Sequence, residues 1–123
     1  MANDFKSFSK TNIAIDSGTY STLYTVPYSA ADVEAILLEV DIANTTSSDI
    51  TVDCKLNKNS GGTGGTDDIF IIKGAPLPAG GALKVVSGQK IVMMSTSTGA
   101  DTVTVAASVA NSADCIVSLL DGV

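Results

Sequence analysis

The sequence predicts an all-β fold: a single antiparallel β-sandwich or small barrel, jelly-roll-like, of about seven or eight strands with a short N-terminal arm. Three observations carry this. Segments at 36–42, 50–56 and 103–109 place apolar residues at every second position, the period of a strand with one face on a core. Clusters of Gly, Asn, Asp, Ser and Pro recur at short intervals between them and mark turns. No segment holds a helical period beyond one turn. The 123 residues make one domain by length. A chain of this size buries roughly two-thirds of the surface it exposes when unfolded. The domain reads as 19–123, after an arm at 1–18.

The arm sets Phe5 and Phe8 beside Lys6 and Lys10. Two readings are open for it. It is a terminal strand packing its Phe residues on the protein's own core, or an extended arm that docks on a partner; termini order only where something ties them down. Residues 19–26 are rich in Thr, Tyr and Val and stop at Pro27, as an edge or first strand does. Ser29 to Leu38 holds a helix candidate capped at Ser29 or Asp32. It runs into the next alternation, which leaves it at most one turn. Residues 35–43 set Ile36, Leu38, Val40 and Ile42 on one face, with Ala35, Leu37, Glu39, Asp41 and Ala43 on the other. The polar cluster 44–49 turns the chain. Ile50, Val52, Cys54 and Leu56 then face one way, and Thr51, Asp53, Lys55 and Asn57 the other. These two segments read as an antiparallel hairpin.

A glycine-rich loop follows at 60–68. Residues 69–72 are continuously apolar and read as a short central strand. Residues 74–81 read as irregular, because Pro76 and Pro78 push their predecessors out of helix. Two short strands, 82–86 and 90–94, are joined at 87–89, and 95–101 forms a loop. Residues 102–109 point Val103, Val105, Ala107 and Val109 inward. The cluster 111–114 turns the chain into a last strand, 115–120.

Composition removes several classes of function. Seven lysines against thirteen acids give a net charge of −6, and the chain has no Arg, His or Trp. Without His there is no Ser-His-Asp or Cys-His catalysis and no imidazole metal site. The missing Arg and a pI near 4.2 argue against a nucleic-acid partner. No apolar run approaches the ~20 residues of a membrane helix, and the polar start lacks the apolar stretch of a signal peptide. The expectation is a soluble product made in a cytoplasm, without a membrane partner. Reduced, buried cysteine is then the default for Cys54 and Cys115; pairing across strands is the alternative, which spacing does not decide. Cys54 is in register with Ile50, Val52 and Leu56 and so points inward.

The remaining motifs are weak. A phosphate-binding loop needs Lys-Ser/Thr after its glycines; here Thr66-Asp67-Asp68 follows, which repels phosphate. Asp67 and Asp68 have the chemistry for a hard cation, but adjacent loop carboxylates are more often solvated. Asn44-Thr45-Thr46 matches a glycosylation sequon and reads as a turn. With six aromatics and no Trp, a sugar cleft is poorly supplied. No catalytic, metal or cofactor site is expected.

The order of segments resembles the small virion structural proteins of tailed bacteriophages, particularly those of marine and cyanobacterial hosts. The residues that carry it are Asn3-Asp4-Phe5-Lys6, Tyr24-Thr25-Val26-Pro27, Ile42-Ala43-Asn44-Thr45-Thr46, Ile50-Thr51-Val52, Ala75-Pro76-Leu77-Pro78-Ala79-Gly80-Gly81-Ala82-Leu83 and Lys90-Ile91-Val92-Met93. The resemblance covers nearly all of the chain. It implies a capsid decoration (cement) protein, or a neck, baseplate, tail or fibre accessory. An acidic, Arg-free surface is repelled by packaged DNA and belongs on the outside.

The function expected is therefore a bacteriophage capsid decoration (cement) protein, not an enzyme, that binds the outer surface of the shell and stabilises it. The alternatives are a tail, neck or fibre component of the virion, and a carbohydrate-binding or host-recognition module. Its partners are the major capsid protein or other virion proteins and further copies of itself. A trimer is expected, from the apolar area left by Leu37, Ala43 and 69–72 and from three-fold lattice sites. The contact residues expected are Phe5, Lys6, Phe8 and Lys10.

Overall fold

The computed structural model describes residues 4–13, 20–28, 31–59 and 68–122. Within them are eight strands: β1 Asp4–Lys10, β2 Ser21–Thr25, β3 Val33–Asn44, β4 Ile50–Asn57, β5 Asp68–Leu77, β6 Ala82–Ser95, β7 Thr102–Ala107 and β8 Ala113–Asp121. They form two four-stranded sheets, β1-β8-β3-β6 and β2-β7-β4-β5, and every pairing is antiparallel. The all-β sandwich is as the sequence predicts. Its order is that of a jelly roll: β1 pairs β8, β2 pairs β7, β3 pairs β6 and β4 pairs β5. One long hairpin is thus rolled into two sheets.

The core lies between the sheets. Leu37, Val40, Ile42, Val86, Met93, Val117 and Leu119 enter it from the first sheet, and Val52, Cys54, Leu77, Val103 and Val105 from the second. Cys54 is fully buried and Cys115 nearly so, and both thiols are free. Burial pushes each thiol up to about 12.

Five local expectations are corrected. Residues 35–43 and 50–56 are not a hairpin; β3 and β4 lie in opposite sheets. Period-two patterning says which face meets the core but not which strand is the neighbour. The faces of β3 also exchange part-way. Leu37 pairs Leu119 and Glu39 pairs Ser118, leaving Leu38 without an opposite residue. This β-bulge puts Ala35 and Leu37 in the core before it, and Val40 and Ile42 after it. Ile36 and Leu38 therefore turn outward, and Leu37 contributes nothing to a free surface. The strand at 69–72 is not central. β5 is an edge strand that continues through Gly74 and Pro76, which an edge tolerates because its outer amides need no partner. The strands at 82–86 and 90–94 are one long β6, with Lys90 at a φ of 59° where the register jumps. Val109 lies beyond the end of β7 and is exposed. Ser29 and Ala30, the start of the helix candidate, lie outside the described residues, and Val33 onward is strand.

The turn after β3 is tied by one side chain. Asn44 is 3% exposed. Its Nδ2 donates to the carbonyls of Ser48, Leu77 and Pro78, and its Oδ1 accepts from the Thr46 amide and hydroxyl. The Asn-Thr turn is thereby bound to the Pro-x-Pro segment at the end of β5.

Candidate interaction surface

The four residues singled out in the arm all lie on β1, the edge strand of the first sheet. The segment 4–10 is thus a strand of the first sheet, with Phe5 and Phe8 both exposed on it. Alternation divides the residues between faces. Phe5 pairs Leu120, whereas Lys6, Phe8 and Lys10 pair Leu119, Val117 and Cys115, which point into the core. Phe8 stacks on Tyr24 of β2 with ring centroids 5.3 Å apart. The Lys6 Nζ donates to Asp121 Oδ2 at 3.1 Å. Phe8 and Lys6 therefore make contacts within the protein while both stay exposed, and Phe5 is 79% exposed on the opposite face.

Phe5 does not stand alone there. Leu120 is also opposite Ile36, and Ile36 is opposite Val92. Opposed residues share a face. Phe5, Leu120, Ile36 and Val92 thus form one apolar row across all four strands, roughly 14 Å at a strand spacing of about 4.8 Å. Val92 is 57% exposed. Leu38 and exposed Ile116 extend the apolar area on the same outer face. Ile36 and Leu38 reach this face only because of the β3 bulge. Farther along the face, Lys84 pairs with Glu39 at 3.5 Å and with Asp41 at 3.6 Å. Burial and the neighbouring Glu39 push the Asp41 carboxyl up, while the hydrogen bond from Asp41 and the charge of Lys84 hold Glu39 down.

Between the β1 and β2 edges runs a groove of about 300 Å³, lined by Lys6, Phe8, Tyr24, Pro27 and Asp121 among others. Burial, and then the Asp121 charge, pushes the Tyr24 phenol above its ordinary range. The Tyr24 hydroxyl lies beside this carboxylate, yet among the described residues neither it nor Asp121 Oδ1 has a hydrogen-bond partner.

The outer face of the second sheet is built differently. The Lys55 Nζ sits 4.4 Å from the Tyr20 ring centre and 5.5 Å from that of Phe70, and Lys73 covers Phe70 at 4.5 Å. Beneath them buried Asp53 accepts from the Tyr20 hydroxyl at 2.8 Å and from the Gly74 amide at 2.6 Å. These cations and rings satisfy one another. Asp68 ion-pairs with Lys55 at 4.0 Å. Asp67 and the glycine-rich stretch 60–67 lie outside the described residues.

No protein-family model matches the sequence, and no curated protein matches it. Solved structures do. The crystal structure of the infectious bursal disease virus VP2 subviral particle is similar with a TM-score of 0.50 and 10% identity, over 97% of this chain and 32% of that one. The structure of the Gx strain of that virus gives a TM-score of 0.42 at 9% identity, over 97% of this chain and 36% of that one. A crystal structure of the viral particle gives 0.41 at 11% identity, over 98% and 39%. This chain spans about a third of the length of the chains it matches. At such identities the likeness is one of fold.

Proposed function

We propose that the protein is a structural component of a virion, a decoration (cement) protein that binds the outer surface of a tailed-phage capsid and reinforces it, without catalysis. The observation that carries this reading is the apolar row Phe5–Leu120–Ile36–Val92 on the outer face of the first sheet. A contiguous apolar strip bordered by charge marks a protein-binding surface. Its partner in this reading is the major capsid protein. The jelly roll is used by capsid proteins among others, and the VP2 subviral particle contains a similar fold. The sequence resemblance to phage virion proteins and the net charge of −6 support the same role. A repeating lattice turns modest single contacts into durable attachment.

The test is binding to expanded capsid shells that lack the protein. Wild type co-sediments with shells and raises the temperature at which they break. Phe5→Asp and Val92→Asp, both at exposed positions, keep the fold and lower occupancy at least tenfold. Equal occupancy by these variants, or wild type that binds purified tails and ignores shells, overturns the reading.

A further inference from the structure

A two-sheet sandwich has four edge strands, here β1 and β6 in the first sheet and β2 and β5 in the second. An open edge presents unpaired backbone groups, and proteins blunt it with bulges, prolines or shortness. Three of these edges are blunted. β6 has a register jump at 87–91, with Lys90 at a positive φ. β5 carries Pro76 and two register shifts. β2 is five residues long and bulged between Thr22 and Tyr24. β1 is different: its seven residues pair β8 in an unbroken register. Its other side faces no strand of the described residues.

From this edge we infer that two copies of the chain join by antiparallel pairing of β1 with β1, across a two-fold axis at Ser7. The charges select that register. With Ser7 opposite the partner's Ser7, Asp4 stands opposite the partner's Lys10, Phe5 opposite the partner's Ser9, and Lys6 opposite the partner's Phe8. The pairing spans all seven residues and contains no like-charge pair. The two-fold produces the Asp4–Lys10 juxtaposition twice. The neighbouring registers on the same faces fail. One sets Lys6 opposite the partner's Lys6; the other sets Lys6 opposite the partner's Lys10, also twice. Like charges directly opposed across strands are destabilising. Lys6 already holds Asp121, and its aliphatic stem is free to lie against the partner's Phe8 ring. The product is one continuous eight-stranded sheet made from two four-stranded ones. The two apolar rows, each ending at Phe5, become neighbours on its outer face.

The inference concerns the isolated protein and is tested apart from any capsid. Sedimentation equilibrium at low salt is run on wild type, Asp4→Lys, Lys10→Glu and the double exchange Asp4→Lys/Lys10→Glu, with circular dichroism to verify each fold. Each single change makes two like-charge pairs and weakens dimerisation about tenfold or more. The double exchange returns it to within a few-fold of wild type. Within one strand residues 4 and 10 are roughly 20 Å apart at about 3.4 Å per residue, so rescue requires a second chain. Wild type that stays monomeric up to millimolar concentration overturns the inference. So does an oligomer whose affinity ignores both single changes, or one that the double exchange does not restore.

Discussion

Replacing Asn44 by Ala removes the side chain that ties the β3–β4 turn to the end of β5. Its amide N–H groups serve three carbonyls, Ser48 at 2.7 Å, Leu77 at 3.1 Å and Pro78 at 3.2 Å. Its Oδ1 serves Thr46 twice, at 2.9 and 2.7 Å. A net hydrogen bond contributes about 1 kcal/mol, and a buried carbonyl left unpaired costs about 1–3 kcal/mol. The bond to Leu77 is the buried one. Two donor groups and one orphaned carbonyl together come to about 3 kcal/mol. For a domain of this size that lowers Tm by roughly 10–15 °C. Asn44→Asp is worse at neutral pH, because a carboxylate then faces the same three carbonyl oxygens. Its pKa is raised in the folded state, so the deficit shrinks as pH falls towards the ordinary carboxylate value and grows as pH rises. Thermal melting of wild type and both variants between pH 4 and pH 8, at pH values chosen to bracket that titration, checks this. An Asn44→Ala protein melting within about 3 °C of wild type would refute the reasoning.

Leu37→Ala empties a fully buried site and should cost about 2–5 kcal/mol. Leu38→Ala, on the outer face, should cost less than about 1 kcal/mol; chemical denaturation of the pair decides whether the bulge lies where described. The free thiols of Cys54 and Cys115, pushed up to about 12, should resist alkylation at pH 8 until the protein unfolds. Both groups stay protonated in the fold above the pH at which they ionise in the unfolded chain. Stability is therefore intact below about pH 9 and falls as pH rises from there towards 12. Cys54→Ala should flatten that alkaline decline, which melting curves across the range would reveal.

The sequence made some of this legible, for reasons visible in particular residues. β4 alternates a polar residue with each of Ile50, Val52, Cys54 and Leu56, so its inner face could be assigned, and Cys54 lies in the core as expected. Pro27 marked the end of the β2 region, and β2 is an edge strand as expected. The run Ala35-Ile36-Leu37-Leu38 is apolar at every position and fits either face. Only the bulge opposite Ser118 decides it, and a bulge is set by the neighbouring strand. The same ambiguity hid most of the candidate surface. Phe5 stood out as an apolar residue in a polar segment. Ile36, Leu120 and Val92 did not, because their shared row exists only once β1, β8, β3 and β6 are side by side. Strand partnership is a property of the rolled chain: β1 meets β8 from the far end of the sequence, and no local pattern encodes that meeting.

The central claim, that this sandwich sits on the outside of a capsid, is tested most directly by cryo-electron microscopy of virions and of shells without the protein. The account predicts a jelly-roll density on the outer surface of the virion shell, absent from the bare shells, with Phe5, Leu120, Ile36 and Val92 against the shell or a neighbouring copy. Virions whose shells carry no such density, with the protein located in the tail or neck, would contradict it.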